Sequence, residues 1–189
     1  PPALAAALER LARDWRTSRA SLVTVTFGLL LSRLSGARDV VIGVPVAGRA
    51  HQELQSLIGY FVNTLPVPVR LETGASFRRL VETYDRLWAE ASLHAELPLS
   101  AIVEALPPGA GALSAVCAVE HGAPAAEGTL RWTADAHALH TGTAKFDLTL
   151  SVGVWPDGGV ARLEYRTAVF DEATASAWLR QFLRLLESA

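Results

Sequence analysis

A chain of 189 residues, half of them hydrophobic and 19% charged, carries enough apolar side chain for one domain-sized core or one large subdomain, which excludes a disordered chain. Seventeen basic against nineteen acidic residues give a formal net charge of −2, so no basic footprint points to nucleic acid or to an anionic membrane surface. A single cysteine, Cys117, excludes an internal disulfide and a Cys-x-x-Cys metal pair and fits a reducing, cytoplasmic setting.

The chain begins at Pro1 and contains no methionine, which reads as either a processed chain or, preferably, an excerpt of a longer polypeptide. PPALAAALERLARDW places Leu4, Leu8, Leu11 and Trp15 at helical spacing, with two prolines where no backbone donor is needed, and predicts an amphipathic helix. Ser21 is placed to cap the next segment, SLVTVTFGLLLSRL, which is apolar nearly all round and stops at Ser35 and Gly36. It predicts a helix buried on most faces. Interrupted by Ser32 and Arg33, this stretch is too short to cross a bilayer, and nothing resembles a targeting segment.

DVVIGVPVAG is apolar on both faces, predicting a central strand, covered on each side and paired in parallel, and hence an α/β sandwich. Residues 49 to 64 predict a loop with a short helical turn around Glu53 to Leu57, and LPVPVRL predicts a strand whose prolines confine it to an edge or to its own start. SFRRLVETYDRLWAEASLHAEL predicts a long helix with Phe77, Leu80, Val81, Tyr84, Leu87, Trp88 and Ala91 on one stripe, and LSAIVEAL a shorter one after Pro98. Strands are predicted at LSAVCAVEH, TLRWTADAH, FDLTLSVGVW and VARLEYRTAVF, the last two joined by a turn at Pro156-Asp157-Gly158-Gly159. A final helix follows Asp171 and turns Ala177, Trp178, Phe182, Leu185 and Leu186 to the core.

Catalytic signals are weak. Of the five histidines, His51, His94, His121, His137 and His140, none forms an HxH or HExxH pattern, and the His137/His140 loop offers no third zinc ligand. No metal site is expected. GVPVAG lacks the spacing of a phosphate loop, there is no GxSxG, and Ser100 and Ser114 have no base nearby in sequence. Lys145 and Asp147 flank Phe146 and read as a local ion pair. On residues alone, this is a soluble α/β domain with an apolar, constrained loop, IGYFVNTLPVPVRL, that carries an asparagine in its middle.

The order of motifs goes further. DVVIGVPVAGR followed by IGYFVNTLPVPVR resembles the C-terminal lobe of the condensation domains of nonribosomal peptide synthetases. HAELPLSAIVEAL resembles that family's HQDLPFEKLVEAL-type motif, and GTAKFDLTLS with LEYRTAVFD is similar to its closing strands in order and spacing. The resemblance runs over the whole chain, Pro1 to Ala189.

It implies a chloramphenicol-acetyltransferase-like, two-layer α/β sandwich with a mixed sheet and flanking helices, forming one lobe of a two-lobed domain. Two such lobes face each other across a tunnel, and peptidyl carrier proteins feed it from opposite ends on phosphopantetheine arms. No cofactor would be bound directly. The implied activity is amide formation between carrier-bound acyl or peptidyl thioesters and aminoacyl substrates.

Residues 43–65 resemble the tunnel floor, which makes Gly43, Pro45, Gly48, Arg49, Gly59, Phe61, Asn63 and Thr64 interlobe or floor positions. A latch region falls at about 136–147, with Lys145 and Asp147. Phe61 and Val62 would pack at the seam and Gly59 would permit close backbone approach. Asn63 would either satisfy buried backbone groups or face the tunnel.

The family's active-site HHxxxDG occurs nowhere in the chain, so no catalytic residue is assigned and the chain alone is expected to be inactive, its partner being an N-terminal lobe that carries that motif. Where an RDxSRNPLF-like motif would stand, the sequence reads PPGAGALSAVCAVE. That departure supports a different class of function, a degenerate non-catalytic lobe that docks a carrier protein or tailoring enzyme. Epimerisation, cyclisation or ester formation on the same scaffold are further alternatives. An exposed interlobe face also implies self-association.

Overall fold

The computed structural model describes residues 1–49, 51–107, 113–121, 142–155 and 158–189. Two helices open the chain, α1 (Pro2–Trp15) and α2 (Arg19–Ser35), followed by β1 (Asp39–Val46), a 3-10 turn (Gln52–Leu54) and β2 (Asn63–Arg70). Then come α3 (Phe77–Ser92), α4 (Leu99–Ala105), β3 (Ala115–His121), β4 (Leu148–Trp155), β5 (Gly158–Tyr165) and α5 (Glu172–Glu187). The strands form one mixed sheet in the order β2-β1-β3-β4-β5. β1 and β3, and β3 and β4, run parallel, while β2 and β5 close the two edges antiparallel to their neighbours.

Helices α1, α2, α3 and α5 pack together on one face of this sheet. Ile42, Leu65, Val67, Val69, Cys117, Leu150 and Val152 point into them from alternate strand positions. Against these sits α2, whose Leu22, Val23, Val25, Phe27 and Leu30 are all buried, as expected for a helix apolar on every side. Phe27 meets Phe182 of α5 edge-on, with ring centroids 6.4 Å apart. A Cβ at Gly28 would fall 2.7 Å from three Val69 side-chain carbons, so this glycine sets how closely α2 approaches the sheet.

Several local expectations change. Ser18, not Ser21, caps α2, its Oγ accepting from the Ser21 N–H at 2.9 Å. The first helical turn holds Arg19 and Ala20, which the apolar run conceals. β1 is not covered on both faces, for Val41, on the side away from the four helices, is 48% exposed. Nor is its pairing only parallel, since its longest ladder is the antiparallel one with β2. α3 ends at Ser92, giving way to turns over 93–96 that free the amphipathic pattern from helical spacing. β4 starts at Leu148 rather than Phe146. β5 ends at Tyr165, after which Val169 and Phe170 N–H groups donate back to Arg166 O. The strand expected at 129–137, His137, His140 and the turn residues 156 and 157 lie outside the described residues, as do 108–112.

The edge position of β2 follows its prolines. Pro66 and Pro68 stand opposite Gly43 and Val41. Because neither can donate, the ladder with β1 is carried by the alternate residues Leu65, Val67 and Val69.

Candidate functional site

Eight of the ten singled-out residues gather around the C-terminal end of β1. Gly43 and Pro45 lie in β1 opposite Pro66 and Thr64. At Gly43 a Cβ would fall 2.6 Å from Leu113 Cδ2 and 2.9 Å from Thr64 Cγ2, so the strand is crowded on its less covered face. Gly48 turns the chain with φ +64°, and a Cβ there would overlap the Phe61 carbonyl oxygen at 1.8 Å. The close backbone-to-backbone contact is made at Gly48, while at Gly59 a Cβ would fall 3.0 Å from Phe61 Cε2. Residues 48 and 61 meet, closing the intervening segment into a compact loop whose ends touch.

That loop is built around Arg49. Its Nη1 donates to Leu54 O and, at 2.8 Å, to Leu57 O, while Nη2 donates to Gly59 O at 3.3 Å. The guanidinium carbon lies 4.4 Å from the centroid of the Phe61 ring, a cation–π geometry.

Asn63 supplies the second anchor. Its Nδ2 donates to Ala95 O at 2.9 Å and to Leu97 O at 2.7 Å, and its Oδ1 accepts from the N–H groups of Thr64 (2.9 Å) and Leu99 (3.3 Å). All of its bonds go to backbone, which explains an asparagine amid apolar residues. It ties the start of β2 to the connection between α3 and α4, satisfying groups that neither element pairs itself.

A third tie, His51 Nε2 to Glu96 Oε1 at 3.0 Å, joins the start of the loop to the same α3–α4 connection on the surface. Between them lies a cleft of about 500 Å³ lined by Gly48, His51, Tyr60, Phe61, Asn63 and Glu96 among others. The outward side of this region is apolar. Ile58 is fully exposed, Tyr60 is 81% and Leu93 83% exposed, and Leu57, Val62 and Leu97 also face solvent.

Lys145 and Asp147 stand apart from this group, at the strand ends opposite the loop, since β1, β3 and β4 run parallel and Asp147 precedes β4. The ion pair expected between them is not the one formed. Asp147 Oδ1 meets Arg166 Nη1 at 2.9 Å, and the Lys145 ammonium lies 5.7 Å from the Phe146 ring centroid. The residue after β4's turn back along β5 thus outcompetes the near neighbour in sequence. An apolar cleft of about 570 Å³ opens at this end, with Asp147, Val41, Pro66, Leu113 and Trp178 in its walls.

Two features escaped the residue reading. Glu96, and the exposed Leu93 and Leu97 beside it, belong with the loop; the only available signal was that HAELPL lacks the polar turn composition its position calls for. Thr24, Tyr84 and Cys117 sit together inside the core, all buried. Burial pushes the Cys117 thiol up to about 12 and raises the Tyr84 phenol above its ordinary value, so this thiol is no nucleophile at neutral pH. Among the described residues no helix is long and apolar enough to cross a membrane.

The chain has extensive likeness to known proteins. It is 33% identical over 193 residues to the dimodular nonribosomal peptide synthase of Bacillus subtilis, covering 96% of this chain and 8% of that protein. It is 38% identical over 181 residues to phosphinothricin tripeptide synthetase PhsC of Streptomyces viridochromogenes, covering 92% of this chain and 17% of that one. The chain thus spans a small part of the curated relatives it matches.

Among solved structures, the first condensation domain of the CDA synthetase superposes with a TM-score of 0.79 at 24% identity, over 98% of this chain and 42% of that chain. The SgcC5 protein from Streptomyces globisporus does so with a TM-score of 0.80 at 28% identity, over 98% of this chain and 45% of that chain. The family model described as Condensation domain matches residues 1–189; the chain belongs to the condensation-domain family.

Proposed function

We propose that the chain is the C-terminal lobe of a condensation domain and contributes the tunnel floor to a catalyst of nonribosomal peptide synthesis. In that reaction the amine of one carrier-bound substrate attacks the thioester carbonyl carbon of another. An amide bond forms, the C–S bond breaks, the thiol of the upstream phosphopantetheine arm leaves, and the amine gives up a proton. HHxxxDG is absent from the sequence, so the group that handles that proton comes from a facing N-terminal lobe. This chain supplies a wall and no acid or base.

The observation that carries this reading is the apolar loop. Leu57, Ile58, Tyr60 and Val62, with Leu93 and Leu97, are held out to solvent by polar anchors instead of folding inward. A surface of this kind, built at the expense of burial, fits a face that another body covers. Gly43, Pro45, Gly48, Arg49, Gly59, Phe61, Asn63 and Thr64 then form the floor and its supports, and residues 43–65 its extent. Of the proposed latch at about 136–147, residues 136–141 lie outside the described residues, while Lys145 and Asp147 lie at the other end of the strands.

The test is peptide mapping of the native polypeptide by mass spectrometry, followed by an amide-formation assay with acyl- and aminoacyl-loaded carrier proteins. Upstream peptides that include HHxxxDG, together with amide product, are expected. A native chain of about this length without that motif would overturn the reading.

One observation favours a second reading, a non-catalytic docking lobe: the stretch PPGAGALSAVCAVE lacks every Arg and Asp of the RDxSRNPLF-like motif. A carrier protein retained without product, by a polypeptide that does carry HHxxxDG, would select it. In either case a lobe freed from its partner should self-associate through the loop, which sedimentation velocity at rising concentration reads directly.

A further inference from the structure

We infer that Arg49 is the positioning residue of the floor loop: one guanidinium fixes the shape in which Leu57, Ile58 and Tyr60 are presented, without itself facing substrate. The inference rests on the reading of this loop as the surface that meets a facing lobe.

All three hydrogen-bond acceptors of Arg49 are backbone carbonyls of the loop it begins, those of Leu54, Leu57 and Gly59. Leu54 O closes the 3-10 turn by accepting from Leu57 N–H at 3.3 Å. Arg49 adds a second donor to that carbonyl and reaches those of Leu57 and Gly59 beyond the turn, much as a C-cap collects the carbonyls at a helix end. Among the described residues, the other hydrogen bonds within the loop are three backbone bonds of its short turn, Leu54 N–H to His51 O, Gln55 N–H to Gln52 O and Leu57 N–H to Leu54 O. Residues 55–60 are exposed, with no core beneath them, so the apolar burial that orders the rest of the chain does not act here.

A planar fork with several fixed donors can reach three carbonyls at different points of the loop while its central carbon sits over the Phe61 ring. A lysine ammonium at the same place would satisfy one or two of them. The remaining supports lie at the loop's base: the Gly48–Phe61 contact and the Asn63 anchor. Loss of the guanidinium should thus loosen the tip and leave the base and sheet as they are.

The experiment is amide hydrogen exchange by mass spectrometry on the native polypeptide, comparing the parent with Arg49→Ala and Arg49→Lys. The informative amides are those of Leu54, Gln55 and Leu57, each hydrogen-bonded within the loop, against Leu65, Val67 and Val69 of β2 as the internal reference. Arg49→Ala should speed exchange at the loop amides at least tenfold with the β2 amides unchanged, and Arg49→Lys should recover less than half of that loss. Loop exchange within twofold of the parent would overturn the inference. So would equal loss of protection in β2, which marks a general structural role.

Should Arg49→Ala fail to fold, Phe61→Leu removes only the aromatic shelf. It should raise exchange at Leu57 severalfold, and no rise would again overturn the inference. The seam reading fails separately. It is lost if Ile58 and Tyr60 of the native polypeptide are oxidised by hydroxyl radical as fast as in the urea-unfolded chain, a result that leaves the exchange data untouched.

Discussion

Val67 and Ile58 are branched aliphatic side chains a few residues apart with opposite fates. The first is fully buried beneath the helices at the centre of β2; the second stands wholly in solvent at the tip of the loop that leads into that strand. Around Val67, order comes from apolar area removed from water, at roughly 25 cal/mol per Å². Around Ile58 it comes from Arg49 and Asn63, whose donors reach carbonyls that the backbone leaves over. The contrast shows that one short stretch can be both a fold element and a presented surface, provided each half has its own source of order.

The comparison is broken most severely from the core side. Phe27→Ala removes a fully buried ring that packs on Phe182 and should cost about 3–5 kcal/mol, read in urea denaturation; a loss below about 1 kcal/mol would mean that the core is not what orders the sheet. Asn63→Ala deletes both halves of the second anchor and should cost about 2 kcal/mol, since partly buried backbone groups lose partners. Its mark is lower soluble yield. Normal yield with lost turnover would move Asn63 from the scaffold to the substrate.

A pH test separates the two regions further. The Asp171 carboxylate accepts from the Thr174 N–H at 2.7 Å, and this hydrogen bond lowers its pKa from the ordinary 3.8. A depressed carboxylate contributes stability that is present above the unfolded value and lost as pH falls through the folded one. Acid below about pH 4 should therefore fray the start of α5 while the Arg49 staple, which has no carboxylate acceptor, persists. Exchange at Thr174 and Ala175 against Leu57 across that range reads it. The smallest effect is expected of His51→Ala. Its pair with Glu96 is formed by side chains 66% and 76% exposed, so less than about 1 kcal/mol should be lost, and a larger loss would make this tie an equal of Asn63.

How much of this was legible depended on distance along the chain. Helical spacing placed α1, α3 and α5, and two prolines placed β2 at an edge, because those signals act within a few residues. The Asn63 bonds reach Ala95, Leu97 and Leu99 across more than thirty residues, and no local pattern announces them. An asparagine amid apolar residues singled out Asn63, and resemblance singled out Arg49; geometry alone gives them partners. The Lys145–Asp147 pair went the other way. Adjacency suggested it, but a chain reversal delivers Arg166 to the same carboxylate. Val41 shows a third limit, for an apolar residue on an uncovered face looks the same in sequence as one in the core.

The prolines of β2 also decide how the sheet can grow. With Pro66 and Pro68 at the positions turned away from β1, the outer rim of this strand lacks two of the donors that an incoming strand would need. Strand addition is disfavoured on that side, beside the loop whose tip is apolar. Association on this rim falls to side chains more than to a backbone ladder.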